Sequence, residues 1–264
     1  MAFDRLGDIV VHHRQTGPAD APLLVFANSL GTDLRVWDDL LPRLGDRFCC
    51  VRYDKRGHGL TDATPGPYSI EGLAKDLARL LDARGAKGVL MCGLSIGGMI
   101  AQALTEARPD LVRGLVLMDT AHKIGTAAMW SERIDAIREG GIGSITDAIL
   151  ARWFSPSFHR DRPDELAGWR NMLTRTPLEG YLACCAAVRD ADLTAAAQSI
   201  AVPTLCMVGD QDGSTPPDLV AELAQLVPNS SLVTIAGAGH LPCVEQPDAV
   251  AAAILDFLLE NRLG

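Results

Sequence analysis

Five residues, Gly93-Leu94-Ser95-Ile96-Gly97, set a serine between two glycines in the pattern G-x-S-x-G. A serine hydroxyl is a weak nucleophile at neutral pH and does acyl-transfer chemistry only when a base activates it and the backbone presents it. The flanking sequence supplies the presentation. An apolar run at 89–92 precedes the motif and a helix-forming stretch at 98–107 follows it, so Ser95 is expected on a tight strand-to-helix turn. Small residues belong there because other chain segments pack against the turn. The serine then lies at a helix N-terminus, where developing negative charge is stabilised. The plainer alternative is a glycine-rich turn with a capping serine, and the strand before and helix after weigh against it.

A base is needed next. His240 sits in Gly237-Ala238-Gly239-His240-Leu241-Pro242, just after an apolar run, where a glycine-rich loop at a strand's end places it well to reach over the sheet. His58, in Asp54-Lys55-Arg56-Gly57-His58-Gly59, is the competitor, but it precedes the serine. Scaffolds with a serine on such a turn run in the order serine, acid, histidine, so His58 reads as a structural histidine bonded to backbone. The orienting acid has three candidates: Asp210 and Asp212 in Gly209-Asp210-Gln211-Asp212-Gly213, and Asp119 after an earlier run. Ser95, Asp212 and His240 satisfy the order, and Asp119 in place of Asp212 does so too. Any of these aspartates could instead cap a turn. An oxyanion needs two N–H donors. Ile96, next after the serine, is one, and Leu30, in the turn Asn28-Ser29-Leu30-Gly31-Thr32, is chosen by position as the other.

The elements that must hold these residues are legible as six short apolar runs, at 23–27, 48–51, 89–92, 115–118, 205–208 and 232–236. Each is continuous rather than alternating, the mark of strands buried on both faces in a parallel sheet. Helical spacing lies between them. Ile70, Leu73, Leu77, Leu80 and Leu81 follow a capping Ser69. Thr215-Pro216 reads as a cap and first-turn proline before Leu219, Val220, Leu223 and Leu226, and Val250, Ile254, Phe257 and Leu258 mark a closing helix. Strand–helix alternation predicts an α/β fold with a mostly parallel sheet flanked by helices. It breaks between residues 121 and 193, where no strand-like run occurs and three of the four tryptophans fall, Trp130, Trp153 and Trp169. A loop of that length without structure is unusual, so a helical insertion over one end of the sheet is expected, with 1–120 and 194–264 as the core domain.

The 264-residue chain has a formal charge of −9. Residues 122–190 carry nine basic and nine acidic side chains, so the whole −9 belongs to the rest of the chain, and eight of those nine bases are arginine. An anionic ligand is repelled less by the insertion than by the body. The acidic balance, without a basic stripe, argues against nucleic acid. No apolar run reaches the roughly 20 residues of a membrane span, and residues 1–16 lack a basic head followed by an apolar stretch, so a cytoplasmic location is expected. Seven cysteines without a C-x-x-C read as reduced, buried thiols, and the six histidines form no spaced ligand pair of the zinc type.

Over essentially its full length the chain resembles the α/β-hydrolase family. The resemblance rests on Asn28–Gly31 with Trp37 a few residues on, Asp54-Lys55-Arg56-Gly57-His58-Gly59, the G-x-S-x-G turn, Gly209–Asp212 leading to Thr215-Pro216, and Gly237–His240. Many members have His-Gly where this chain has Asn28-Ser29. In the family the acid is the fourth residue of G-x-x-D, which selects Asp212 over Asp210, and the insertion acts as a helical cap over the site. Within the family the chain is most similar to 3-oxoadipate enol-lactonases, through 28–35, through Gly93-Leu94-Ser95-Ile96-Gly97-Gly98-Met99, and through Gly180-Tyr181 with Cys184-Cys185-Ala186-Ala187 and Arg189-Asp190. That resemblance implies hydrolysis of 3-oxoadipate enol-lactone to 3-oxoadipate in bacterial breakdown of protocatechuate and catechol, with no metal or organic cofactor. The expected partner is a small anionic lactone, held by Trp130, Arg133, Trp153 and Tyr181 of the cap. Arg133 is the residue expected to meet its carboxylate, since Trp130 lies one helical turn away and a guanidinium binds carboxylate bidentately. Serine at the nucleophile position argues against dehalogenase and epoxide hydrolase chemistry. A general carboxylesterase, a cofactor-free perhydrolase or a non-catalytic binding protein remain the alternatives.

Overall fold

The computed structural model describes residues 1–263. An eight-stranded sheet runs in the order β1-β2-β4-β3-β5-β6-β7-β8. From β4 (Cys49–Tyr53) across β3 (Leu23–Ala27), β5 (Val89–Leu94), β6 (Val112–Met118) and β7 (Thr204–Gly209) to β8 (Ser230–Ile235) every pairing is parallel. β1 (Ala2–Leu6) and β2 (Ile9–Thr16) form an antiparallel hairpin whose second strand adds to β4. β4, β5 and β7 are buried at every position, which is why their sequences are largely apolar, with Arg52 of β4 paired to Asp38. β8 closes the opposite edge and is largely uncovered, with Leu232 exposed.

The crossover helices read from the pattern are present. After the short α1 (Leu41–Leu44), α2 (Ile70–Ala83) buries Ile70, Leu73, Leu77, Leu80 and Leu81 on one face, and the Ser69 hydroxyl accepts the Gly72 N–H at 3.0 Å. α3 (Ile96–Ala107) is buried almost all round and packs on α2 and β5. Between β6 and β7 the chain builds only helices: α4 (Ala127–Gly140), α5 (Thr146–Trp153), α6 (Pro156–Asp161), α7 (Pro163–Thr174), α8 (Leu178–Asp190) and α9 (Thr194–Ser199), with one 3₁₀ turn. α10 (Pro217–Leu226), α11 (Pro242–Glu245) and α12 (Pro247–Glu260) complete the fold. One start differs from expectation. α10 begins at Pro217 with Pro216 as its N-cap and no side-chain cap, because the Thr215 hydroxyl is turned to Asp212 instead. All seven cysteines are free and buried, and no helix among the described residues is long and apolar enough to cross a membrane.

The turn between β5 and α3 is where backbone approach is tightest. A Cβ on Gly97 would lie 2.0 Å from the carbonyl oxygen of Ala27 on β3, and one on Gly93 would lie 2.4 Å from that of Gly97. Both obstacles are backbone, so no side chain can move aside. Gly97→Ala is expected to cost about 3 kcal/mol or more, the upper range for forced overpacking. The check is the urea midpoint of unfolding. A midpoint equal to the parent's would mean that β3 and the turn are not held this closely.

Candidate active site

Ser95 joins β5 to α3 with φ 58° and ψ −122°, a backbone conformation rare for any residue with a Cβ. Two bonds hold it there. Its N–H donates to the Met118 carbonyl at 3.0 Å, and the Thr120 hydroxyl donates to its carbonyl at 2.7 Å. Its own hydroxyl makes no hydrogen bond among the described residues and faces a cavity of about 390 Å³. His240, carried by the loop between β8 and α11, lines the same cavity and is 2% exposed.

His240 Nδ1 lies 2.9 Å from Asp212 Oδ2, so Nδ1–H donates to the carboxylate and Nε2 is the free ring nitrogen. Asp212 follows β7, and its remaining lone pairs are taken locally. The N–H groups of Ser214 and Thr215 donate to Oδ1 at 2.7 and 3.1 Å, and the Thr215 hydroxyl donates to Oδ2 at 2.6 Å. Burial pushes this carboxyl up, but the charge of His240 and these donors outweigh it and hold its pKa below the ordinary value. Asp210 has a different job. Its Oδ1 accepts the N–H groups of Gly237 and Ala238 at 2.8 and 3.3 Å, pinning the start of the histidine loop.

The loop after β3 also reaches the cavity, through Ser29 and Leu30. The N–H groups of Leu30 and Ile96 carry no hydrogen bond among the described residues, which leaves two donors beside Ser95. The loop's shape is fixed from below. Lys55 is wholly buried, its ammonium donates to the Ser29 carbonyl at 2.6 Å, and burial lowers its pKa to about 8. His58 Nε2 accepts the Gly31 N–H at 2.9 Å, and burial followed by the Lys55 charge holds this histidine well below its usual range. A neutral His58 spent on backbone is a support and not a base. Asn28 is fully buried, and its amide donates to the Thr32 carbonyl across the same loop.

Trp130, Arg133 and Trp153 line the cavity, and Tyr181 does not. Tyr181 is fully buried behind Arg133, and its hydroxyl receives a hydrogen bond from Arg133 Nη2 at 2.5 Å. The Arg133 guanidinium also lies 4.9 Å from the Trp130 ring centre and 5.8 Å from that of Tyr181. Its Nε is buried without a partner, and it forms no ion pair among the described residues. Glu132 and Asp135, its neighbours in sequence, do not pair with it.

Two contributors, Arg152 and Glu245, have no signal in the sequence, and the acid candidate Asp119 takes a place that the sequence does not reveal. Arg152 lines the same cavity with no ion pair among the described residues, its pKa lowered by burial and then by the charge of Arg133. Helical spacing offered no signal that the two arginines converge. Glu245 accepts the Gly239 N–H at 2.6 Å, the Ser155 N–H at 3.0 Å and the Ser155 hydroxyl at 2.5 Å, tying the histidine loop to the insertion. Asp119, fully buried at the end of β6, lies near Asp212 and His240, with one side-chain oxygen or nitrogen of each within 4.8 Å of the other two. A second hollow of about 610 Å³, lined by His12, Asp54, Arg35 and Arg175 among others, contains neither Ser95 nor His240.

A family model described as the alpha/beta hydrolase family matches residues 24–253. The chain is an α/β-hydrolase. This hydrolase is 35% identical to 3-oxoadipate enol-lactonase 2 of Acinetobacter baylyi, over 94% of its own length and 92% of that protein's. Among solved structures it superposes on an enol-lactonase from Burkholderia xenovorans with a TM-score of 0.94 at 35% identity, covering 98% of this chain and all of that one. A thermophilic esterase from Thermogutta terrifontis, solved with malate bound, follows at a TM-score of 0.88 and 30% identity, covering 96% and 94% of the two chains. The fold of this hydrolase and its likeness to enol-lactonases are thus those that the motifs implied.

Proposed function

We propose that this hydrolase opens 3-oxoadipate enol-lactone to 3-oxoadipate by a serine mechanism, as a step in the breakdown of aromatic compounds. The observation that carries the reading is the cavity itself. It is lined by Ser95, His240 and two unspent N–H groups, and also by Arg133 and Arg152, which have no ion-pair partners among the described residues. The first set suits acyl transfer, and the arginines suit a substrate with a free carboxylate. The 35% identity to an enol-lactonase and the malate-bound esterase relative point the same way.

In the proposed reaction His240 Nε2 takes the Ser95 proton as Oγ attacks the lactone carbonyl. Asp212 keeps the imidazole in the correct tautomer and stabilises its charge. The N–H groups of Leu30 and Ile96 hold the oxyanion, each worth about 2.7–4 kcal/mol at the transition state. Cleavage of the ring C–O bond expels an enolate, which His240 protonates and which becomes the ketone. Water, activated by His240, then hydrolyses the acyl-serine and restores the enzyme. The segment 121–193 is the cap, and through Trp130, Arg133 and Trp153 it orients the substrate, with Tyr181 bracing Arg133.

The test compares kcat/KM on the enol-lactone with that on a neutral ester such as p-nitrophenyl acetate. The proposal expects a large preference for the lactone. Equal rates would favour a general carboxylesterase. Arg133→Met sharpens the comparison. Loss of a buried charge-assisted contact is worth about 1.5–3 kcal/mol, so KM for the anionic lactone is expected to rise about tenfold or more, while the neutral ester is hardly affected. Equal small effects on both would return Arg133 to a purely structural role on Tyr181.

A further inference from the structure

Asp119 is in an odd place for a charge. It follows β6 with φ 46°, and its N–H donates to the Met207 carbonyl at 2.8 Å, so the flanking strand holds it in that conformation. Its side chain is wholly buried. Oδ1 accepts one hydrogen bond, from the Gly209 N–H at 2.9 Å, and Oδ2 has no partner. The titratable groups facing it are Asp212, His240, Glu245 and Cys243, and no lysine or arginine pairs with it among the described residues. Two carboxyl groups this close face a single imidazole, and only Asp212 has the donors to remain charged. Like charges at this separation cannot both ionise in a buried site. Burial and then the charge of Asp212 push the Asp119 carboxyl well above the ordinary carboxylate range.

We infer that Asp119 is a positioning residue that retains its proton at neutral pH and directs its Oδ2–H at the Asp212 carboxylate, adding a donor to the set that holds Asp212 against His240. Asp119 touches no substrate. It acts by limiting how strongly Asp212 holds a proton on the imidazole, and so keeps His240 available as a base. The inference rests on the reading of His240 and Asp212 as base and acid, but its first test needs no turnover at all.

That test is infrared difference spectroscopy of the parent against Asp119→Asn at pH 8. A protonated-carboxyl carbonyl band is expected in the parent and absent from the variant. The second test is the acidic limb of the kcat/KM profile, which reports protonation of His240. Asp119→Asn replaces one neutral donor by another and is expected to keep both the limb and most of the rate. Asp119→Leu removes the donor, and the limb is expected to move up by about half a unit or more, with kcat falling about tenfold. Three results would overturn the inference. One is a missing infrared band. Another is a limb that moves down in Asp119→Asn, since that would mean a negative charge had been removed beside the imidazolium. The last is an unmoved limb in both variants with only a lower melting temperature. The reading of the site as a serine hydrolase fails separately, if Ser95→Ala retains turnover whatever the infrared band shows.

Discussion

Ser95→Ala is expected to lower kcat on the enol-lactone by a factor on the order of 10⁶, the scale of losing a nucleophile that acts with its base as one unit. The folded state should hardly notice. The Ser95 hydroxyl has no hydrogen-bond partner among the described residues, so its removal strands no buried donor or acceptor. Alanine also meets the same φ of 58° that serine does, so no new backbone strain enters. The stability change is expected within about 0.5 kcal/mol, typical of a substitution that breaks no contact. The measurement pairs steady-state kinetics with thermal unfolding on protein free of contaminating esterase. Activity near the parent's would remove Ser95 from the chemistry. A large loss accompanied by unfolding would show only that the turn had collapsed.

Asp212→Asn should follow in size, at about 10⁴-fold in kcat. The amide keeps the shape but lacks the charge that stabilises the imidazolium, and it can present N–H where His240 Nδ1 needs an acceptor. Asp210→Asn is the matched control in the same turn. An asparagine oxygen can still accept the Gly237 and Ala238 N–H groups, so a change of less than about tenfold is expected. If the Asp210 substitution proved the damaging one, the histidine loop's anchor would matter more than its acid.

The parallel strands from β3 to β7 were legible because burial on both faces leaves little room for polar alternation, whereas β8, though its run at 232–236 was read the same way, is a largely uncovered edge. β1 and β2 were not legible, because a hairpin at the sheet edge is half-solvated and reads as Phe3-Asp4-Arg5 and His12-His13-Arg14, with no apolar run longer than Ile9-Val10-Val11. Ser95, His240 and the Gly209–Asp212 turn were visible because glycines and strand ends punctuate the sequence around them. What the sequence hid were the contacts made across large separations. Thr215 looks like a helix cap until Asp212 is seen to claim its hydroxyl. Tyr181 looks like a cavity residue until Arg133 is seen to stand in front of it. Asp119 looks like an alternative acid. Only the parallel register of β6 and β7, pairing Met118 with Met207, brings it beside Asp212 instead of in its place.

The Glu245 carboxylate bears on how far the insertion can move. It grips Ser155 of the insertion and Gly239 of the histidine loop at once, and the Gly213 N–H reaches the Arg152 carbonyl at 3.4 Å nearby. The insertion is therefore bolted on the side where the imidazole stands. Displacing the insertion on that side would pull on the loop that holds His240. Met129 of α4, on the cavity wall and 43% exposed, takes no part in that anchorage, and its flexible side chain can shift without breaking it.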